Sequence, residues 1–255
     1  MRMRKIMVKK LHLLCACSLA AAMCFSSAYA DNVIRVGTEA TYAPFEFMDD
    51  EAKPQGYDID IITAIGEAMG YEVQVQNMPF DGLIPALMTS QIDAVIAAMT
   101  ITPERAQRVD FSEPYYKSGL SVLIREADKD KYTSLESLKG QPLCAQIGTT
   151  GAMKADELSG GNAKSFNTEP EAFMELKAGG CEGVVNDRPV NLYYLATAAS
   201  EGVVEMSEMI TAEDYGIAVA KGNTEMKQVI DEGLKKIREN GTFAKIHQKW
   251  FSVAE

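Results

Sequence analysis

The sequence predicts an α/β protein of two similar lobes joined by extended crossing strands. Three observations point there: short β-rich runs alternate with helix-patterned runs, this rhythm restarts once near mid-chain, and no flexible low-complexity tether separates the halves. In the first half, residues 33–37 form a strand-like run, followed by a turn at Ala43-Pro44. Residues 57–69 place Ile59, Ile62, Ile65 and Met69 at helical spacing, with Gly70 where a helix ends. Residues 71–75 alternate, 81–89 are helical, and 94–98 read as a buried strand. A βαβαβ order of this kind predicts a parallel sheet covered by helices on both faces.

The rhythm restarts after Tyr115-Tyr116. Strands are expected at 121–125, 143–147, 163–166 and 183–185, and helices at 151–158, 169–178 and 189–197. A further strand at 215–220 precedes an amphipathic helix over 224–240, which Gly241 stops, and a short closing helix reaches Trp250. Two α/β lobes without a linker place the natural ligand site between them.

Residues 1–30 read as a secretory leader. Arg2, Arg4, Lys5, Lys9 and Lys10 form a basic start, an apolar stretch covers 11–25, and Ala28-Tyr29-Ala30 supplies small residues for cleavage before Asp31. The apolar stretch is shorter than the roughly 20 residues a transmembrane helix needs. The expected destination is the periplasm. The whole chain has 25 Lys+Arg against 36 Asp+Glu, a net charge of −11, and loss of the leader's five basic residues takes it to −16. That excludes the basic face a nucleic-acid partner requires. Of five cysteines, Cys15, Cys17 and Cys24 leave with the leader. Cys144 and Cys181 remain, and an even pair in an exported chain reads as one disulfide, two separate buried thiols being the alternative.

Signals for catalysis are thin. The two histidines are His12, in the leader, and His247, in the last helix, so no histidine-based triad or zinc cluster is available. No cofactor and no metal are expected. The fragment Ile147-Gly148-Thr149-Thr150-Gly151 follows a strand and opens a helix, but Ala152-Met153 stands where a phosphate loop needs Lys-Ser/Thr. Such a helix start still suits a carboxylate. In the other half, Thr100-Ile101-Thr102-Pro103-Glu104-Arg105 follows a strand and begins a helix, which sets Arg105 beside threonine donors. A guanidinium grips two carboxylate oxygens in a planar fork; the competing reading is a surface arginine paired with Glu104 or Asp110. Asn186-Asp187 ends the strand at 183–185, where an acid could hold an ammonium or merely cap the next helix.

The chain resembles the bacterial extracellular solute-binding proteins of family 3, the periplasmic polar amino-acid receptors of ABC importers, across residues 33–251. The resemblance is carried by Val36-Gly37-Thr38-Glu39-Ala40-Thr41-Tyr42-Ala43-Pro44-Phe45-Glu46, Gly56-Tyr57-Asp58-Ile59-Asp60 and Phe80-Asp81-Gly82-Leu83-Ile84-Pro85-Ala86-Leu87. The Thr100–Arg105 segment, Asp110-Phe111-Ser112 with Pro114-Tyr115-Tyr116, and the tail Glu239-Asn240-Gly241-Thr242-Phe243 with Lys249-Trp250-Phe251 complete it.

That resemblance implies two Rossmann-like α/β lobes on a two-strand hinge, the type II periplasmic binding protein fold. Lobe 1 is expected at 31–114 plus 216–255, lobe 2 at 120–210, and the hinge near 115–119 and 211–215. It implies that Arg105 clamps an α-carboxylate with Thr100, Thr149 and Thr150, while Asp187 and the Ala98 carbonyl take the α-amino group. Specificity then falls to Glu39, Tyr42, Phe80, Met99 and Gln146, with Asn186 in reach. Two aromatics suit a flat guanidinium, and Glu39 neutralises a cation, so the set resembles the arginine-binding branch more than the glutamine-binding one. The resemblance also implies that Cys144, which begins one second-lobe strand, pairs with Cys181, which lies just before a parallel neighbour. The expected partners are a free L-amino acid and a membrane permease, and the expected state is a monomer. The rivals are a glutamine receptor, a dehydratase on the same scaffold, whose general acid could only be Glu39, and a sensor module.

Overall fold

The computed structural model of the protein describes residues 32–251. The expected leader, its cleavage point, Cys15, Cys17 and Cys24 lie outside the described residues. In chain order the strands are β1 (Val33–Thr38), β2 (Thr41–Tyr42), β3 (Glu46–Met48), β4 (Pro54–Gln55), β5 (Glu72–Asn77), β6 (Ala94–Val95), β7 (Val109–Phe111), β8 (Tyr116–Ser118), β9 (Leu120–Arg125), β10 (Leu143–Gln146), β11 (Lys164–Phe166), β12 (Gly183–Asp187), β13 (Val203–Glu205), β14 (Glu213–Tyr215) and β15 (Ala218–Ala220). They build two five-stranded sheets, β5-β1-β6-β15-β7 and β11-β10-β12-β9-β13, each the centre of one lobe. The chain passes from the first sheet to the second through β8 and returns through β14, and these two pair antiparallel with Tyr116 opposite Tyr215 and Ser118 opposite Glu213.

Each sheet is packed on both faces, as alternating side chains require. In the first, Ile34, Val36, Ala94, Ile217 and Val219 meet Ile61, Ile62 and Ile65 of helix Tyr57–Met69 and Ile230, Leu234 and Ile237 of helix Thr224–Glu239. Val95, Ala97 and Ala218 point the other way, onto Leu83 and Leu87 of helix Phe80–Met88. In the second sheet, Leu120, Val122, Leu143 and Ala145 line one face with Ala155 and Leu158, while Leu123, Cys144 and Val184 line the other with Ala172, Phe173 and Leu176. Cys144 and Cys181 form a disulfide in that second cluster, with Cα atoms 6.0 Å apart. No helix among the described residues is long and apolar enough to cross a membrane.

The sheets are mixed, which corrects the expectation of parallel ones. β1 runs parallel to β6, and β10 parallel to β11 and β12. β15 runs antiparallel to β6 and β7, and β9 antiparallel to β12 and β13. A parallel neighbour needs a helical crossover, whereas β9 and β15 enter their sheets directly from the crossing strands. Two expected strands also shrink. The run at 94–98 is a strand only at Ala94–Val95, because Ala98 takes a left-handed φ of 45° and turns the chain. The run at 215–220 breaks at Gly216 into β14 and β15, one in the crossing pair and one in the first sheet.

Two glycines fix where the segments meet. A Cβ on Gly119 would sit 2.1 Å from the Thr211 carbonyl oxygen, so the two crossing segments touch backbone to backbone there. A Cβ on Gly151 would sit 2.6 Å from the Val185 carbonyl oxygen, so the helix Thr150–Ser159 starts hard against the end of β12. That contact brings Thr150 and Asp187 to the same edge of the second lobe.

Candidate functional site

The carboxyl ends of the strands in both sheets converge on one cavity between the lobes. Ten of the expected residues line it: Glu39, Tyr42, Phe80, Ala98, Thr100 and Arg105 from the first lobe, and Gln146, Thr149, Thr150 and Asp187 from the second. Met99 lies elsewhere. Its side chain is buried among Leu83, Ile92 and Val109 in the core of the first lobe, and its carbonyl accepts from Gly216 N–H at 3.1 Å.

Arg105 is placed by its helix start. Thr102 caps the helix Pro103–Arg108, its hydroxyl accepting from Arg105 N–H at 3.2 Å, and Pro103 occupies the first turn. The side chain is 8% exposed and meets neither Glu104 nor Asp110, the latter pairing with Lys221. Its Nη1 donates to Thr100 O at 2.7 Å and its Nη2 to Gly148 O at 3.0 Å, so it reaches from one lobe to the other. The guanidinium lies 5.4 Å from the centre of the Phe80 ring. Burial pushes its pKa down, and Asp187, Glu213 and Glu104 partly restore it. Two of its five donors serve these carbonyls, which leaves a donor on each Nη and the Nε–H for an anion in the cavity.

Asp187 stands at the N-terminus of the helix Arg188–Leu195 but makes no side-chain cap bond. Its carboxylate turns instead to the Tyr42 hydroxyl across the cavity and to Ser118 Oγ at 3.3 Å. The Tyr42 hydroxyl also lies 2.5 Å from Asn186 Oδ1. One hydroxyl proton cannot satisfy both acceptors, so this corner is short of donors. Burial raises the Asp187 carboxyl to about 6, and Glu213 adds to the rise.

At the other end, Glu39 is 5% exposed. Thr41 Oγ1 donates to its Oε1 at 2.6 Å, and Gln146 Nε2 donates to its Oε2 at 3.1 Å across the lobes. Its pKa is raised by burial against the pull of those two bonds. The second Gln146 amide hydrogen goes to Asn167 O at 3.1 Å, which leaves the Gln146 oxygen as an acceptor. Thr149 caps the helix Thr150–Ser159, accepting from Ala152 N–H at 3.0 Å and donating to Gln146 O at 2.7 Å. This orients the N–H groups of that helix start.

Three acids reach the site unforeseen. Glu46 lines the cavity, and its carboxyl is pushed well up by burial and by Asp58 beside it. Asp58, in the first turn of helix Tyr57–Met69, accepts from Ala98 N–H and from the Tyr115 hydroxyl, both at 2.7 Å. It thereby holds the left-handed turn that presents the Ala98 carbonyl. Its own carboxyl is raised by burial to about 6. Glu213, on β14, accepts from Thr100 Oγ1 at 2.7 Å and Thr150 Oγ1 at 2.9 Å. The Thr100 hydroxyl proton is thus committed within the chain, which removes it from the expected carboxylate clamp. Asp58 stands in the quoted Gly56-Tyr57-Asp58 motif, where an acid in a first turn that otherwise reads as buried is a visible signal. Glu213 leaves no local pattern.

The cavity therefore has three lining acids, Glu39, Glu46 and Asp187, and one lining cation, Arg105. Buried charges of one sign are tolerated only when paired or neutralised. The arrangement favours an occupant with one negative group at Arg105 and positive groups at Asp187 and Glu39.

The family model of bacterial extracellular solute-binding proteins, family 3, matches residues 34–253. The L-arginine-binding protein of Pseudomonas aeruginosa is 34% identical over 255 residues, covering 96% of this chain and 97% of its own. A solved ancestral arginine-binding protein bound to arginine is similar at 43% identity and a TM-score of 0.81, covering 86% of this chain and 98% of its own. An ancestral amino-acid-binding protein described as a precursor of cyclohexadienyl dehydratase is similar at 37% identity and a TM-score of 0.79, covering 86% of this chain and 96% of its own. By the extent of the family match and the identity to its relatives, this chain belongs to the bacterial extracellular solute-binding proteins, family 3.

Proposed function

We propose that this chain is the periplasmic substrate-binding component of an amino-acid ABC transporter, and that it captures free L-arginine or another basic L-amino acid. The observation that carries the reading is the charge pattern of the interlobe cavity: one buried guanidinium with unused donors, and buried acids at two separate corners. The α-carboxylate takes the free donors of Arg105 and the N–H groups at the start of helix Thr150–Ser159. The α-ammonium gives Asp187 and Asn186 the donors that Tyr42 alone cannot supply. The side-chain cation lies along Tyr42 and Phe80 and ends at Glu39, with the Gln146 oxygen as a further acceptor. A neutral glutamine side chain would leave Glu39 without a counter-charge.

Capture works by closing the lobes on the segments at 115–119 and 211–215. Tyr42 to Asp187, Gln146 to Glu39 and Arg105 to Gly148 are bonds that exist only when the lobes are together. A closed receptor with its ligand inside is what a membrane permease distinguishes from an open one. The reading is binding and not catalysis, because the charged groups match an intact zwitterion with a cationic tail. A dehydratase on this scaffold would need a general acid facing a substrate without an α-amino group, and the buried pair of Arg105 and Asp187 at one cavity favours an amino acid instead.

A thermal unfolding series with each of the twenty amino acids and with ornithine tests this. A ligand at a hundredfold excess over its Kd adds about 2.7 kcal/mol to stability. Arginine, lysine, ornithine or histidine is expected to give the largest rise in Tm. A largest rise with glutamine removes the basic preference, and no rise with any amino acid removes the receptor reading.

A further inference from the structure

We infer that Glu213 is a latch for the closed form, a positioning residue that touches both lobes from the crossing strand that joins them. Its carboxylate Oε2 is the shared acceptor for Thr100 Oγ1 of the first lobe at 2.7 Å and Thr150 Oγ1 of the second at 2.9 Å. Its Oε1 accepts from Thr211 Oγ1, on its own segment, at 3.2 Å. Three hydroxyls from three parts of the chain therefore converge on one carboxylate. Among the described residues no lysine or arginine lies within ion-pair distance of it.

The segment that carries Glu213 is tied to the first lobe. Ile101 N–H donates to Asp214 O at 2.8 Å, Gly216 N–H donates to Met99 O at 3.1 Å, and Thr100 bridges to Tyr215. Opening of the lobes therefore leaves the bond from Thr100 in place and withdraws Thr150, which starts a helix packed on β12 of the second lobe. A hydrogen bond to an ionised carboxylate is stronger than one between neutral groups. The closed form gains that bond and the open form must replace it with water. Glu213 also occupies both threonine hydroxyls on its side of the cavity, which directs a bound α-carboxylate to Arg105 and to backbone N–H groups.

The inference rests on the proposed capture by lobe closure, and its test separates the two. Stopped-flow release of L-arginine is measured for the wild type, E213A, E213Q, T150V and E213A/T150V. Interlobe distances are read by electron–electron spin resonance between labels on Thr63→Cys and Glu157→Cys, one exposed helix position in each lobe. E213A is expected to release arginine about 10- to 100-fold faster, as loss of one charged hydrogen bond gives, and to shift the distances toward the wider separation. E213Q keeps an oxygen acceptor without the charge and is expected to release arginine faster than wild type but more slowly than E213A. T150V in the E213A background is expected to add less than it does alone, because the two act through one bond. Unchanged release and unchanged distances in E213A overturn the latch, and so does an E213Q as impaired as E213A. A wild type that binds no amino acid defeats the proposed function instead. The latch is then decided by the distances alone: a wider E213A supports it and an unchanged one refutes it.

Discussion

Asp58 lies in the core of the first lobe, with a carboxyl held near 6 where an exposed aspartate titrates near 3.8. Burial is the main cause, and the bonds from Ala98 N–H and the Tyr115 hydroxyl recover only part of its cost. Glu46 faces it and is itself pushed well up. The sign follows from linkage: a group with a raised folded-state pKa gives stability that is present below its unfolded pKa and is lost as pH rises through the folded one. For Asp58 the loss runs from about pH 4 to about pH 6. A shift of about two units corresponds to a loss on the order of 3 kcal/mol. Asp58→Asn keeps an oxygen for Ala98 and Tyr115 and turns an amide N–H toward Glu46. D58N is therefore expected to match the wild type near pH 4 and to exceed it by up to that amount at pH 7.5. Urea unfolding of both proteins at a series of pH values reads the difference directly. A difference that stays flat between pH 4 and pH 8, or a D58N that is less stable at pH 7.5, refutes the reasoning.

Arg105→Ala is expected to weaken binding of every amino acid by about 3–5 kcal/mol, because it leaves a buried ligand carboxylate unpaired; calorimetric titration checks it. Asp187→Asn is expected to cost a similar amount by removing the ammonium partner, with the fold preserved since Tyr42 keeps an acceptor. Glu39→Gln is expected to act selectively, weakening arginine by about 1.5–3 kcal/mol while leaving glutamine binding within a small factor, and competition between the two ligands reads the change. Replacing Cys144 and Cys181 together with serine opens a loop of sequence separation 37 and is expected to cost roughly 3–4 kcal/mol of stability. Arginine affinity is expected to hold, because the disulfide joins the amino-terminal ends of β10 and β12 and the cavity lies at their carboxyl ends.

The residues that carry short-range signals were legible in the sequence. Helix starts announce themselves through Thr102-Pro103 and Thr149-Thr150, and the rhythm of strands and helices places Arg105 at a helix start and Asp187 at a strand end. Strand direction was not legible, because alternation says which face a residue takes and nothing about which way its neighbour runs. The short length of β6 was hidden too: Ala94 to Ala98 is apolar throughout, and only the bond from Ala98 N–H to Asp58, forty residues earlier, shows why the strand stops. Glu213 meets Thr100 and Thr150 from 113 and 63 residues away, and a contact of that reach has no periodicity to read. The resemblance implied Met99 at the cavity, but the turn at Ala98 sends its side chain into the core.

The central claim is that the interlobe cavity captures a free basic L-amino acid. Isothermal titration calorimetry of the chain freed of residues 1–30, run against all twenty amino acids and against agmatine, tests it most directly. The expected result is one basic amino acid bound per chain with a Kd below about 10 μM, weaker binding of glutamine, and little binding of agmatine, which lacks the carboxylate that Arg105 holds. No amino acid binding below that concentration, or agmatine binding as tightly as arginine, would contradict it.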